Sequence, residues 1–73
     1  MPEIKIRTDV AGRVCSIALT AGSSVSAGDE LFFVEAMKME IPVTATSAGI
    51  LKSILVKLDD IVSEDQVVAL VES

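Results

Sequence analysis

The chain has 73 residues, a formal net charge of −5 and a hydrophobic fraction of 51%. A chain of this length has room for one hydrophobic core and not for two. Its six Lys and Arg residues are scattered, so the basic stripe that a nucleic-acid backbone requires is missing. We therefore expect one domain over residues 1–73, with no nucleic-acid partner.

The cysteine and histidine content argues against a disulfide-stabilised protein and against a metal site. There is one cysteine, Cys15, and no histidine. A lone cysteine forms no internal disulfide and is more typical of a small buried side chain than of a nucleophile. Neither a signal peptide nor a membrane-spanning apolar run is evident. We expect a cytoplasmic protein without a metal site or a membrane partner.

The first predicted element is a strand near the N-terminus. Ile4 and Ile6 alternate there with Lys5 and Arg7. Alternation of apolar and polar residues is typical of a strand that is buried on one face.

The next elements belong to an internal repeat with an offset of 37 residues. Residues 12–17 match residues 49–54, and the register continues until Glu35 matches Glu72. One short unit used twice buries its apolar face only by packing on its copy. Because the core residues are mostly aliphatic and β-branched, we predict an all-β fold. The expected architecture is a small flattened β-barrel or sandwich of two halves related by an approximate twofold axis.

The turns within the two halves differ in one systematic way. The first half has Gly22 and Gly28 in its turns, and the second half has Asp59 and Asp65 at the matching positions. Aspartate is one of the few residues that tolerate a left-handed conformation. We predict that the turns are retained.

The segment at residues 30–40 contains several good helix formers. It reads Glu-Leu-Phe-Phe-Val-Glu-Ala-Met-Lys-Met-Glu. The repeat favours a strand instead, because residues 31–35 match Val-Ala-Leu-Val-Glu at residues 68–72. We predict a strand, a tight reversal near Met37 and Lys38, and a second strand. The reversal lacks the Gly or Asn that a two-residue hairpin prefers, and such violations are expected at functional sites.

The strand after the reversal shows a second clear alternation. Ile41, Val43 and Ala45 alternate with Pro42 and Thr44. Proline lacks a backbone N–H group, so we expect this strand at the edge of a sheet.

Lys38 would stand at the tip of this hairpin between two methionines. It is one of four lysines, and most surface lysines only solvate a protein. Large apolar side chains at an exposed tip are unusual unless a partner recognises them. The alternative is that Met37 and Met39 fill the core.

Residues 36–39, Ala-Met-Lys-Met, resemble the attachment signature of biotinyl domains, the carrier modules of biotin-dependent carboxylases. The resemblance covers nearly the whole chain, because Gly12 and Gly49 open two halves that flank the motif hairpin. Asp59 and Asp65 stand where relatives often have glycine.

The resemblance implies that the domain carries biotin covalently on Lys38 and is not an enzyme by itself. A biotin protein ligase would attach the group, and the carrier would move carboxyl groups from a biotin carboxylase to a carboxyltransferase. Met37 and Met39 are then expected recognition residues, together with Ala36 and Glu35. An acidic residue, Glu72, also ends the matching strand in the second half. The alternative for Glu35 is therefore a purely structural role at the end of its strand.

Two other functions remain as alternatives. A lipoyl carrier shares the fold and the hairpin lysine, but acidic and small residues typically flank that lysine in place of methionines. An unmodified β domain that binds peptides would leave the Met-Lys-Met tip unexplained. A self-contained enzyme has less support, because the chain offers no histidine and no phosphate-cradling glycine loop.

Overall fold

A computed structural model describes residues 2–73, so Met1, the first residue of the predicted domain, lies outside the described residues. These residues form eight strands and no helix. The strands are β1 (Glu3–Arg7), β2 (Gly12–Ile17), β3 (Ser24–Val25), β4 (Glu30–Ala36), β5 (Met39–Thr44), β6 (Gly49–Ile54), β7 (Ile61–Val62) and β8 (Val67–Glu72). Residues 2–73 accordingly contain no helix that is long and apolar enough to cross a membrane.

The strands form two four-stranded antiparallel sheets, in the orders β1-β8-β6-β3 and β5-β4-β2-β7. The all-β sandwich predicted from the sequence is confirmed. Each strand of one sheet corresponds to the strand at the same place in the other sheet when residues 37 apart are matched. This correspondence supports the interpretation of the chain as a repeat.

The core lies between the sheets and is built mainly from aliphatic side chains. Its fully buried members include three pairs of residues 37 apart: Val14 with Leu51, Leu31 with Val68, and Val34 with Val71. Burying one such side chain contributes roughly 1.5–3 kcal/mol relative to leaving it exposed. Both halves therefore contribute equivalent apolar surface to one core.

Four turns share a left-handed residue at equivalent places. The φ angles are 96° at Gly22 and 92° at Gly28, and in the second half they are 75° at Asp59 and 67° at Asp65. The predicted retention of these turns is confirmed. Aspartate is one of the few non-glycine residues that tolerate this conformation.

The edge position predicted for the strand that contains Pro42 is also confirmed. β5 pairs only with β4 in its sheet, where Pro42 lies opposite Phe33. A proline is tolerated there because one side of an edge strand makes no ladder hydrogen bonds.

The edge strands β1 and β5 relate the position of the hairpin to that of the chain ends. They approach each other at their C-terminal ends, where Arg7 and Thr44 line the same groove. At about 3.3 Å per residue, two strands of five and six residues that meet at these ends together span most of the 36 Å length of the molecule. We infer from these dimensions that the β4–β5 hairpin and the paired ends of β1 and β8 lie at opposite ends of the sandwich.

Lys52 forms ion pairs that join the first and last strands near the chain ends. Its Nζ lies 2.6 Å from Glu3 Oε2 and 3.8 Å from Glu72 Oε2. The hydrogen bond and charge of Lys52 lower the pKa of the Glu3 carboxyl, and the same bond raises the pKa of Lys52.

We expect a Lys52→Met variant to lose the part of the acid sensitivity that arises from Glu3. A lowered carboxyl pKa stabilises the fold above the ordinary value of 4.5, and this stabilisation is lost as the pH falls through the lowered pKa. Thermal unfolding between pH 3 and pH 7, taken as a rough span around that value, should show a smaller decrease for the variant than for the native chain. Equal pH dependence in both proteins would contradict the assignment.

Candidate functional site

The site predicted from the sequence is the hairpin between β4 and β5. Ala36 pairs with Met39 and Glu35 pairs with Glu40, which leaves Met37 and Lys38 as a two-residue loop. The predicted order of strand, tight reversal and strand is therefore confirmed. The helix propensity of this segment is overridden by its pairing with β2 on the other side of β4.

Both loop residues have left-handed backbone conformations. The φ angle is 52° at Met37 and 64° at Lys38. Positive φ at both central residues is the signature of a type I′ turn, which matches the twist of the flanking strands and normally uses Asn-Gly. A non-glycine residue in this region costs on the order of 1 kcal/mol or more. The hairpin holds two residues of this kind side by side.

The side chains at the tip are open to solvent. Met37 is 93% exposed and Met39 is 64% exposed, and Lys38 is exposed between them. The alternative that these methionines fill the core is wrong. Two exposed thioether side chains on a tight turn present an adaptable apolar surface next to the lysine amine.

The amine of Lys38 differs in its surroundings from that of Lys52. Within residues 2–73 the ion pairs involve Arg13 and Lys52, and no carboxylate lies within ion-pair distance of Lys38. A primary amine at an exposed tip is sterically accessible to an acyl donor. Such an amine can form an amide bond with the activated carboxyl group of another molecule.

Glu35 has a partner that the sequence did not reveal. Arg13 on the neighbouring strand β2 places Nη2 at 3.0 Å from Glu35 Oε1, and its Nη1 bonds Asp59. These two carboxylates raise the pKa of the Arg13 guanidinium, and the hydrogen bond with Glu35 has the largest effect. The three side chains connect the motif strand to β2 and to the turn before β7.

Gly12 allows β2 to lie close to the motif strand. A Cβ atom added at Gly12 would overlap the backbone carbonyl oxygen of Glu35 and would lie 2.8 Å from Val34 Cγ1. Gly49 has the matching place in the second half, beside the carbonyl oxygen of Glu72. The glycine that opens each half is thus required by close backbone approach.

Metal ligands and the cysteine are the other groups whose reactivity bears on function. No group of three or more His, Cys, Asp or Glu side chains among residues 2–73 could hold a metal ion. Cys15 is half-buried, with its Sγ 3.6 Å from the carbonyl oxygen of Phe33. The hairpin is distinguished by a lysine on a tight two-residue turn between two exposed methionines.

The fold and the hairpin define a class of protein, a small β-sandwich module that presents a lysine on a tight turn. The Biotin_lipoyl family model, described as biotin-requiring enzyme, matches residues 2–71. The chain belongs to this family, and it is a biotinyl domain.

Individual relatives agree with this assignment. The chain is 32% identical to the biotinylated protein TB7.3 homolog of Mycobacterium leprae over 66 residues, which are 90% of this chain and 93% of the relative. It is 36% identical to the biotin/lipoyl attachment protein of Bacillus subtilis over 62 residues, which are 85% of each protein. The urea carboxylase of Kluyveromyces lactis contains a segment of this fold, with a TM-score of 0.94 and 32% identity, that covers 99% of this chain and 6% of the carboxylase.

Proposed function

We propose that Lys38 carries biotin in amide linkage and that the domain transports carboxyl groups between two active sites of a biotin-dependent carboxylase. The observation that supports this most directly is the exposed lysine on a left-handed two-residue turn between two exposed methionines. The methionines favour biotin over lipoate, because the lysine of lipoyl carriers typically has acidic and small neighbours.

Attachment requires that Lys38 be reachable and that its ammonium group first give one proton to solvent. The neutral Nζ then attacks the acyl carbon of a biotinyl adenylate, the bond from that carbon to the AMP oxygen breaks with its electron pair leaving on AMP, and the nitrogen loses a second proton. The product is a neutral amide, so the tip loses its positive charge. A biotin protein ligase would supply the adenylate and would contact Met37, Met39 and Ala36.

The domain then acts as a rigid body with a long flexible arm. Attached biotin supplies a ureido nitrogen that takes up a carboxyl group at a biotin carboxylase and releases it at a carboxyltransferase. The type I′ turn holds the Cα of Lys38 at one end of the sandwich, away from the chain ends. A tether of this kind keeps the carried group at an effective concentration of roughly millimolar near each site.

The domain contributes no catalytic group of its own in this proposal. The partners are a biotin protein ligase, a biotin carboxylase and a carboxyltransferase, and the transferase selects the final acceptor. A single cysteine, which forms no internal disulfide, fits a reducing compartment, and we place the domain in the cytoplasm.

The proposal predicts that the biotinylated domain accepts carboxyl groups in trans. Purified biotinylated domain should acquire label from ¹⁴C-bicarbonate when ATP, Mg²⁺ and a biotin carboxylase are added, and a Lys38→Arg domain prepared in parallel should acquire none. The label on the rapidly isolated domain measures the transfer. ATP-dependent labelling without the carboxylase, or equal labelling of the Lys38→Arg domain, would contradict the carrier role.

A further inference from the structure

The hairpin end of the molecule carries two further exposed apolar side chains that the proposed function does not use. Ile61 is 75% exposed and Leu58 is 56% exposed. Their counterparts 37 residues earlier are Ser24 and Ala21, a polar and a small residue. The two halves of the fold therefore differ here in surface chemistry although their backbones correspond.

Ile61 lies in a row of side chains that leads to the motif strand. It is directly opposite Arg13, Arg13 is opposite Glu35, and Glu35 is opposite Glu40. Directly opposed residues of antiparallel strands place their side chains on the same face. Ile61 is therefore about 10 Å, two strand spacings, from Glu35 on the outer face of the sheet.

Leu58 is held beside this row by backbone hydrogen bonds. The N–H of Asp59 donates to the carbonyl oxygen of Val14 at 2.8 Å, and the N–H of Val14 donates to that of Asp60 at 2.9 Å. Asp59 also binds Arg13. The turn that contains Leu58 is thus fixed to the middle of β2. We refer to Leu58 and Ile61 together as the ledge.

Charge around the ledge is net negative. Arg13 is shared by Glu35 and Asp59, and the ion pairs of residues 2–73 include neither Glu40 nor Asp60, while Lys57 is the exposed cation next to Leu58. The surface therefore fits a partner that offers an apolar strip beside a cationic side chain. A strongly acidic partner would be repelled by Glu40.

We infer that the ledge is a docking surface for the biotin protein ligase, an inference that rests on the proposed attachment to Lys38. The ligase must bring the acyl carbon to about 3 Å from Lys38 Nζ, so it closes on the hairpin within the reach of one lysine side chain. The ligase then also contacts surface residues that lie two strands away from the motif strand. Once biotin is attached, the reacting ring lies at the end of a longer arm, and the carboxylase sites make less contact with the body of the domain.

Ligase kinetics on folded variants test this inference. In a Leu58→Ser/Ile61→Thr variant the KM for the unmodified domain should rise about tenfold, as expected for loss of central apolar contacts, while kcat stays unchanged. The matched control is Ile50→Thr, because Ile50 is 46% exposed on a strand but lies opposite Glu72 near the chain ends. This control should keep the native KM.

Equal KM values for the ledge variant, the control and the native domain would overturn the ledge assignment while leaving attachment to Lys38 intact. Failure of the native domain to acquire biotin at Lys38 after prolonged incubation would instead overturn the proposed function.

Amide hydrogen exchange of the native domain gives a second test that needs no substitution. Addition of ligase should slow exchange in residues 57–62 as well as in 36–40, and exchange in the matching residues 20–25 should not change. Protection confined to residues 36–40 would overturn the inference.

Discussion

A Lys38→Arg variant is expected to fold normally and to acquire no biotin. Arginine keeps a long aliphatic stem and a positive charge at the tip, but its guanidinium stays protonated and does not act as the acyl acceptor. Co-expression with a biotin protein ligase followed by intact mass spectrometry measures the effect. The native domain should gain one biotinyl group, and the variant should show only its unmodified mass.

Lys57→Arg is the matched control, because Lys57 is also an exposed lysine in a loop. It should be modified as completely as the native chain. Biotinylation of the Lys38→Arg variant, or its loss in Lys57→Arg with the fold preserved, would assign the site to another residue.

The second large effect is expected from Gly12→Ala. The added methyl group would overlap the carbonyl oxygen of Glu35 and approach Val34 Cγ1, so β2 must move away from the motif strand. Overpacking of this kind typically costs about 1–3 kcal/mol, which is a large share of the stability of a domain this small. Chemical unfolding should give a lower free energy of unfolding, and biotinylation should be slower than for the native domain.

A Gly49→Ala variant separates the effect on stability from the effect on biotinylation. Gly49 has the equivalent contact with the carbonyl oxygen of Glu72 at the other end of the molecule. It should destabilise the fold by a similar amount but leave the rate of biotinylation of the folded domain near the native value. Equal slowing by both substitutions would show that lost stability alone explains the effect of Gly12→Ala.

Local pattern together with the internal repeat was sufficient to predict the hairpin, the four turns and the edge strand. The left-handed turns at Asp59 and Asp65 and the edge position of Pro42 follow from residue chemistry at single positions. The reversal at Met37 and Lys38 was predictable from the match between residues 31–35 and 68–72, although its residues are poor for a type I′ turn. Strand pairing on both sides of β4 outweighs that local cost.

The ion pairs around Glu35 were not predictable in the same way. Arg13 is 22 residues from Glu35 and 46 residues from Asp59 along the chain. Their contact depends on the register of β2 against β4, which changes at an irregularity between Val14 and Ser16. Periodicity carries no information about such a shift between distant strands.

The exposure of Leu58 and Ile61 was also missed, although the sequence contained a signal. Apolar residues stand there where the first half has Ala21 and Ser24. Matching the halves shows that the positions differ, but only the structure shows that they face solvent at the hairpin end. The recognition roles of Met37, Met39, Ala36 and Glu35 stay predictions.

Peptide mapping of the biotinylated domain shows which lysine carries the biotin. The basic residues on either side of Lys38 are Arg13 and Lys52, so trypsin releases residues 14–38 and 39–52 from the unmodified chain. Acylation of Lys38 removes its positive charge and blocks that cleavage. We expect a single peptide of residues 14–52 that is heavier by one biotinyl group, with fragment ions that place the addition on Lys38. Biotin found on Lys5, Lys52 or Lys57 while residues 14–38 appear unmodified would contradict this assignment.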